Sequence, residues 1–508
     1  MFTRQNSVGL FGVDAYMVRV EADLSQGMPC FDIVGLPDAA VKESRDRVRA
    51  AVRNCGFTFP VGRVTVNLAP ADIRKEGALY DLPLLVAILK AAGQLDAELE
   101  DAAFIGELSL DGTVRPVNGL LAMAIQVRQS GLKRFFVPAA NAAEGAVVEG
   151  LEVYPVESVT QLVSHFHAGD LLHPARPVED ADGVPTAVPD FSDVKGQAAA
   201  KKALEVAAAG GHNLLLIGPP GAGKSMLAKR LPSILPPLTF DEAVETTKIH
   251  SIAGALPPGG SLVRQRPFRS PHHTISPAGL SGGGTIPKPG EISLSHNGVL
   301  FLDELPEFGR ASMEALRQPL EDGRVTMSRV SGSLTYPCSI TLVAAMNPCP
   351  CGFYGHPTKP CTCAPGAVSR YLARVSGPLL DRLDLHVEVP PVDYEALQAT
   401  GREETSADIR ERVIAARQRQ LARYADSGVT CNARLTPALL QSFCPMTDRA
   451  SAVLKAAFDR LGLSARSYDR LLKVARTIAD LDGADVIDTA HISEAIQFRS
   501  LDRKYWSH

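Results

Sequence analysis

The residues best suited to chemistry in this chain are Gly218-Pro219-Pro220-Gly221-Ala222-Gly223-Lys224-Ser225, with Met226 following. Glycines let backbone N–H groups close around phosphate oxygens, the lysine reaches the β and γ phosphates, and the serine hydroxyl holds Mg²⁺. The apolar run Leu214 to Ile217 ahead of the loop is of strand type, and Lys224 to Ala228 opens a helix whose N-terminus favours negative charge. This is the setting of a P-loop, so ATP and Mg²⁺ are the expected ligands.

Such a loop needs an acidic strand beside it. Val299 to Leu302 is apolar and ends in Asp303-Glu304. Asp303 suits the Mg²⁺ shell, and Glu304 suits the orientation or deprotonation of the attacking water. A further strand, Ile340 to Met346, ends at Asn347, whose amide can hydrogen-bond the water or the γ-phosphate. Just beyond it, Cys349, Cys351, Cys361 and Cys363 form two CxC pairs separated by nine residues. Four thiolates so crowded can close a tetrahedral Zn²⁺ site, with His356 a further candidate ligand; the bland reading is isolated buried cysteines. Arg382 precedes another strand, at 385–389, and is either a surface ion-pair partner or an arginine that neutralises charge on a neighbouring subunit's γ-phosphate. Arg466, at the start of a helix, is placed to reach the phosphates of its own subunit.

Two stretches are basic and free of acids. Residues 264–290 carry Arg264, Arg266, Arg269 and Lys288 with His272 and His273, and 323–336 carries Arg324 and Arg329 on what reads as a β-hairpin turning at 330–333. Each is either a solvated excursion or a polyanion contact, and beside an ATPase site DNA is the favoured polyanion. Adjacent histidines point apart in an extended chain, which counts against a metal at His272-His273. Ser281-Gly282-Gly283-Gly284 is expected to be mobile or tightly turned.

The elements that position these residues fall into three blocks along 508 residues. Residues 1–170 read as mixed α/β, with strands over 15–22 and 63–68 and a helix over 38–52, whose Lys42, Arg45, Arg47 and Arg49 are taken as a solvated face. A Pro-rich linker spans 171–190. An α/β core occupies 191–392, with helices over 198–209 and 311–320 and the Cys-rich insertion at 349–363. Residues 393–508 are helical and read as a lid. The composition, 45% hydrophobic and 21% charged, is that of a globular chain. A net charge of −4 makes any nucleic-acid contact local. With no signal segment, no apolar run of membrane length and nine cysteines, the expectation is a cytoplasmic protein with no membrane partner.

Residues Lys75 to Pro83, Gly106 to Leu120 and Gly131 to Pro138 resemble the proteolytic domain of Lon-type proteases. Leu79 stands where that family has its nucleophilic serine and Leu121 where it has the lysine, so the resemblance implies a Lon-like fold lacking the Ser–Lys dyad. Residues 191–505 resemble AAA+ ATPases of the magnesium-chelatase and MCM-helicase branch, and the whole chain resembles the YifB/ComM family. That resemblance implies a homo-hexameric ring with Arg382 acting in trans. It also implies an ATP-driven DNA motor that promotes branch migration during recombination in natural transformation. The alternative is a protein-remodelling or chelatase-like motor with the same catalytic parts; Leu79 and Leu121 oppose a protease.

Overall fold

The computed structural model describes residues 1–169, 172–177, 189–257, 259–284, 288–329, 332–392, 398, 403–461 and 464–506, and the chain divides into two compact units. The first unit is Met1–Gly183 together with two segments from the middle of the chain, Phe240–Val263 and Ser328–Tyr336. Most of the expected linker, 178–188, lies outside the described residues.

The first unit is built on a seven-stranded mixed sheet in the order Cys30–Val34, Arg63–Ala69, Asp14–Ser25, Phe2–Phe11, Ala102–Phe104, Arg134–Pro138, Glu152–Val156. Alternation decides its packing. Val18, Val20 and Ala22 are buried and meet Val64, Val66 and Leu68 across an antiparallel register that pairs Val20 with Leu68 and Ala22 with Val66. Helices Ala39–Asn54 and Asp81–Ala91 contribute to the same core. Asp38 caps the first, accepting the Val41 N–H at 2.8 Å. A second apolar cluster joins Val8, Ala103, Phe135 and Val137 to helix Leu120–Gln129.

Helix Phe240–Ala253 packs against helix Leu120–Gln129 through a buried polar node. Ser251 donates its hydroxyl to Glu144 and accepts the Gly119 N–H at 2.8 Å, while Glu144 Oε1 also accepts the Leu121 N–H at 2.7 Å. Burial pushes the Glu144 carboxyl above its ordinary range, against those hydrogen bonds. Leu121 is fully buried and Leu79 partly so, both as core side chains.

The helix over 38–52 forms as expected, but its basic face is not simply solvated. Lys42 and Arg45 are exposed, whereas Arg47 donates through Nε to Asp81 Oδ2 at 2.7 Å and Arg49 lies over the Phe59 ring at 5.0 Å. Asp81 is fully buried and also accepts the Leu108 N–H, so Arg47 is the counter-charge of a core carboxylate 34 residues away.

The second unit centres on a five-stranded parallel sheet in the order Phe268–Arg269, Val299–Leu302, Thr341–Met346, Leu214–Ile217, Leu385–Glu388. The three central strands are wholly buried, which explains their unbroken apolar sequence. The helix expected over 311–320 is two short ones, Arg310–Ala315 and Arg317–Asp322. Pro319 has no N–H to give the carbonyl of residue 315, and the break falls there. The expected hairpin is present as Arg324–Arg329 and Gly332–Pro337.

The C-terminal part is helical, including Ser406–Arg423, Pro437–Phe443, Asp448–Leu461, Ala465–Leu481, Thr489–Gln497 and Ser500–Trp506. It is pinned by Asp480, fully buried, which accepts from Arg423 at 2.6 Å and from Asn432 Nδ2 at 2.9 Å.

Removing one partner of a buried ion pair strands the other. Arg47→Ala is therefore expected to destabilise the first unit by about 3 kcal/mol, whereas Arg45→Ala stays within about 0.5 kcal/mol. Denaturant unfolding of the two variants against the parent chain checks this.

Candidate active site

Parallel register brings the ends of three strands together. Ile217 pairs with Met346 and Leu302 with Ala344, so Gly218, Asp303 and Asn347 emerge at one edge of the sheet. Gly218 donates its N–H to Met346 O at 3.2 Å, and a Cβ on it would stand 2.2 Å from Val389 O. Gly221 and Gly223 have φ of +79° and +89°, which only glycine adopts without strain. The loop wraps a cavity of about 340 Å³ lined by residues 220–226, Asp303, Glu304, Met346 and Asn347.

Within it, Lys224 Nζ donates to Gly218 O at 2.7 Å, Pro219 O at 3.0 Å and Asn347 Oδ1 at 3.1 Å. Burial lowers the lysine's pKa, opposed by the nearby Asp303 and Glu304 carboxylates. Ser225 Oγ donates to Asp303 Oδ2 at 2.6 Å. A hydroxyl from the helix start and a carboxylate from the acidic strand thus converge on one point, the all-oxygen donor set that suits Mg²⁺.

Glu304 adopts φ +53°, a left-handed backbone unusual for a glutamate, with its N–H on Asp303 Oδ1 at 2.9 Å. Its side chain is 58% exposed and its Oε2 lies 3.4 Å from His273 Nδ1. In the sequence His273 is one of two adjacent histidines in the basic stretch, and local pattern does not show that it stands beside the Glu304 carboxylate. Its position just after strand Phe268–Arg269 was the available signal.

Arg382 and Arg466 stand apart from the cavity lining. Arg382 donates to Arg317 O at 3.1 Å and Pro378 O at 2.7 Å and is hydrogen-bonded to Glu321, and Arg466 lies 3.9 Å from the same glutamate. The structure therefore does not bring Arg466 to the phosphate cavity.

The four cysteines do converge, with all four sulfurs within 4.8 Å of one another. Cys349 Sγ is 3.3 Å from Cys351 Sγ and 3.7 Å from Cys361 Sγ, and the latter two are 3.5 Å apart. A tetrahedron of thiolates about 2.3 Å from zinc has edges of about 3.8 Å. Tyr354 N–H points at Cys349 Sγ at 3.3 Å. Against a burial effect, the amides of Phe353 and Thr362 hold the Cys351 thiol down to about 5. His356 is outside the set, its Nδ1 taken by the N–H groups of Thr358 and Lys359.

The basic segments divide. Arg269 is locked bidentate to Glu291, at 2.7 and 2.8 Å, and Arg266 donates to the carbonyls of Pro236, Asn297 and Pro237. Both guanidinium groups thus have partners within the chain; Glu291 sits one residue beyond the acid-free stretch. Arg264, Lys288 and Arg324 are exposed, and the Arg329 side chain lies outside the described residues. Gly282–Gly283 is a short strand that pairs antiparallel with Lys288–Pro289. His272 Nδ1 is bonded to Thr274, and the one metal-competent cluster among the described residues is the cysteine set.

A phosphate loop, an acidic strand and a polar strand tip on a parallel sheet define a P-loop nucleoside triphosphatase. Residues 190–397 match the family described as magnesium chelatase, subunit ChlI; residues 20–141 match subunit ChlI of Mg-chelatase, and 403–499 match the ChlI C-terminal family. The chain is 46% identical over 497 residues to protein YifB of Escherichia coli (strain K12), covering 97% of this chain and 96% of that one. It is 44% identical over 497 residues, with the same shares, to competence protein ComM of Haemophilus influenzae. The chain belongs to the YifB/ComM family of magnesium-chelatase-like AAA+ ATPases, and it is an ATP-hydrolysing enzyme. A more distant likeness, 24% over 197 residues, links 36% of this chain to 24% of the Lon protease of Brucella abortus biovar 1. Among the described residues no helix is long and apolar enough to cross a membrane.

Glu304→Gln keeps the size of the side chain and removes its carboxylate charge. It is expected to lower the hydrolysis rate by about 10²-fold or more while a fluorescent ATP analogue still binds, as phosphate release and equilibrium titration will show.

Proposed function

We propose that this protein is a homo-hexameric, ATP-driven DNA motor that promotes branch migration when single strands recombine during natural transformation. The observation that carries this reading is the exposed cation set Arg264, Lys288 and Arg324, on the two segments that lead into the strands ending in Asp303 and Asn347. Full-length similarity to competence protein ComM supports it. Cations on segments continuous with catalytic strands can grip a phosphate backbone and shift with the nucleotide state.

In this reading Gly218 to Met226 hold ATP, and Ser225 and Asp303 hold the Mg²⁺ that offsets phosphate charge. Lys224 leaves the loop carbonyls for the β and γ phosphates. Glu304 takes the proton of the attacking water, and Asn347 orients that water or the γ-phosphate. Arg382 stabilises phosphate charge in the neighbouring subunit, and Arg466 joins the nucleotide site only after moving from Glu321. The four cysteines hold a structural Zn²⁺. Arg329 joins the DNA contacts from the hairpin. The N-terminal unit is a Lon-type fold in which Leu79 and Leu121 replace the dyad, so it supports assembly or DNA binding without peptidase activity. The protein works in the cytoplasm.

ATP hydrolysis is expected to rise several-fold with single-stranded or branched DNA, and Arg324→Ala is expected to lose that stimulation with its basal rate intact. Phosphate release, with Glu304→Gln as the blank, is the assay. Hydrolysis indifferent to every DNA tested would overturn the DNA motor in favour of a protein-remodelling or chelatase-like one.

A further inference from the structure

The cysteine cluster is joined to the wall of the nucleotide cavity. Cys349 follows Asn347 by two residues on the same chain segment, and Asn347 accepts from Lys224. At Gly352 the backbone turns through φ +84°, and a Cβ there would stand 2.4 Å from Cδ of Pro220, a residue of the cavity wall. The turn is closed on itself by Gly352 N–H to Cys349 O at 3.0 Å and by Tyr354 N–H to Cys349 Sγ. Residues 352–363 contain no helix or strand; their path is set by local turns such as His356 N–H to Phe353 O at 3.1 Å, by the Tyr354–Tyr505 ring contact and by the four sulfurs.

Four sulfurs within 4.8 Å of one another match the tetrahedral donor set of a thiophilic divalent cation, which would cross-link the two ends of the segment. Resting on the Zn²⁺ reading above, we propose that metal binding at Cys349, Cys351, Cys361 and Cys363 sets the affinity of the ATP site, by pressing Gly352 onto Pro220 and fixing the chain that carries Asn347. The metal is then a positioning device for nucleotide binding, and its loss loosens the cavity wall without touching Ser225, Asp303 or Glu304.

The test uses the full chain. Metal content is measured by elemental mass spectrometry, and Co²⁺ is substituted to read the tetrathiolate absorption bands. Binding of a fluorescent ATP analogue is titrated before and after a zinc-selective chelator, with Mg²⁺ held constant. One zinc per chain is expected. If the competent cavity falls to a tenth of the population, apparent nucleotide affinity drops about tenfold, and added Zn²⁺ restores it. Gly352→Ala keeps all four ligands and is expected to retain zinc while binding nucleotide more weakly. A chain that binds neither zinc nor Co²⁺ would remove the metal reading itself. Zinc bound at one per chain, with nucleotide affinity unchanged on its removal and in Gly352→Ala, would leave the metal site standing and overturn its link to ATP.

Discussion

Ile217 opposite Met346 and Leu302 opposite Ala344 are ordinary backbone pairings, yet the distances among Lys224, Ser225, Asp303 and Asn347 depend on them. A slip of one residue in either ladder would turn each strand's side chains to the other face and carry Asp303 or Asn347 away from the loop. Leu214 to Ile217, Val299 to Leu302 and Thr341 to Met346 are buried on both faces, so no polar face selects their register, which rests instead on close side-chain packing and the backbone pairing itself. The core is therefore not a support beside the site. It is the alignment of the site.

Charge is placed with similar economy. Lys224 sits where burial disfavours its ammonium, held by two loop carbonyls and the Asn347 amide and attracted by two carboxylates. Arriving phosphates offer that cation better partners, so part of the lysine's desolvation is already met before ATP binds. Glu304 shows the complementary arrangement, a carboxylate in a strained backbone conformation, mostly in solvent and beside His273.

The residues that line the cavity were legible in the sequence because phosphate binding demands residue types in a fixed local order. Glycines, lysine and serine occupy one turn, and acids follow one apolar run. Helix and strand positions were legible for the same reason, from Leu214–Ile217 to the C-terminal helices. What was not legible is pairing at long separation. Arg47 looks solvated until Asp81 arrives 34 residues later, Arg269 looks free until Glu291 folds back, and nothing in 240–253 announces that Ser251 meets Glu144. Such contacts are set by how elements stack, and local pattern carries no record of that. The helix expected over 311–320 divides for a simpler reason, because Pro319 cannot donate to the carbonyl of residue 315.

The first compact unit is assembled from three stretches of chain, and its last contribution, Ser328–Tyr336, lies far beyond the P-loop. Leu334 lies 3.1 Å from where a Cβ on Gly12, in the first turn of the chain, would stand. A protein made from its N-terminus onward therefore cannot finish its first unit before much of the ATPase sheet has been synthesised. The helix-bearing face around Leu120–Gln129 waits for Phe240–Ala253 in the same way. Synthesis order and folding order are out of step in this unit.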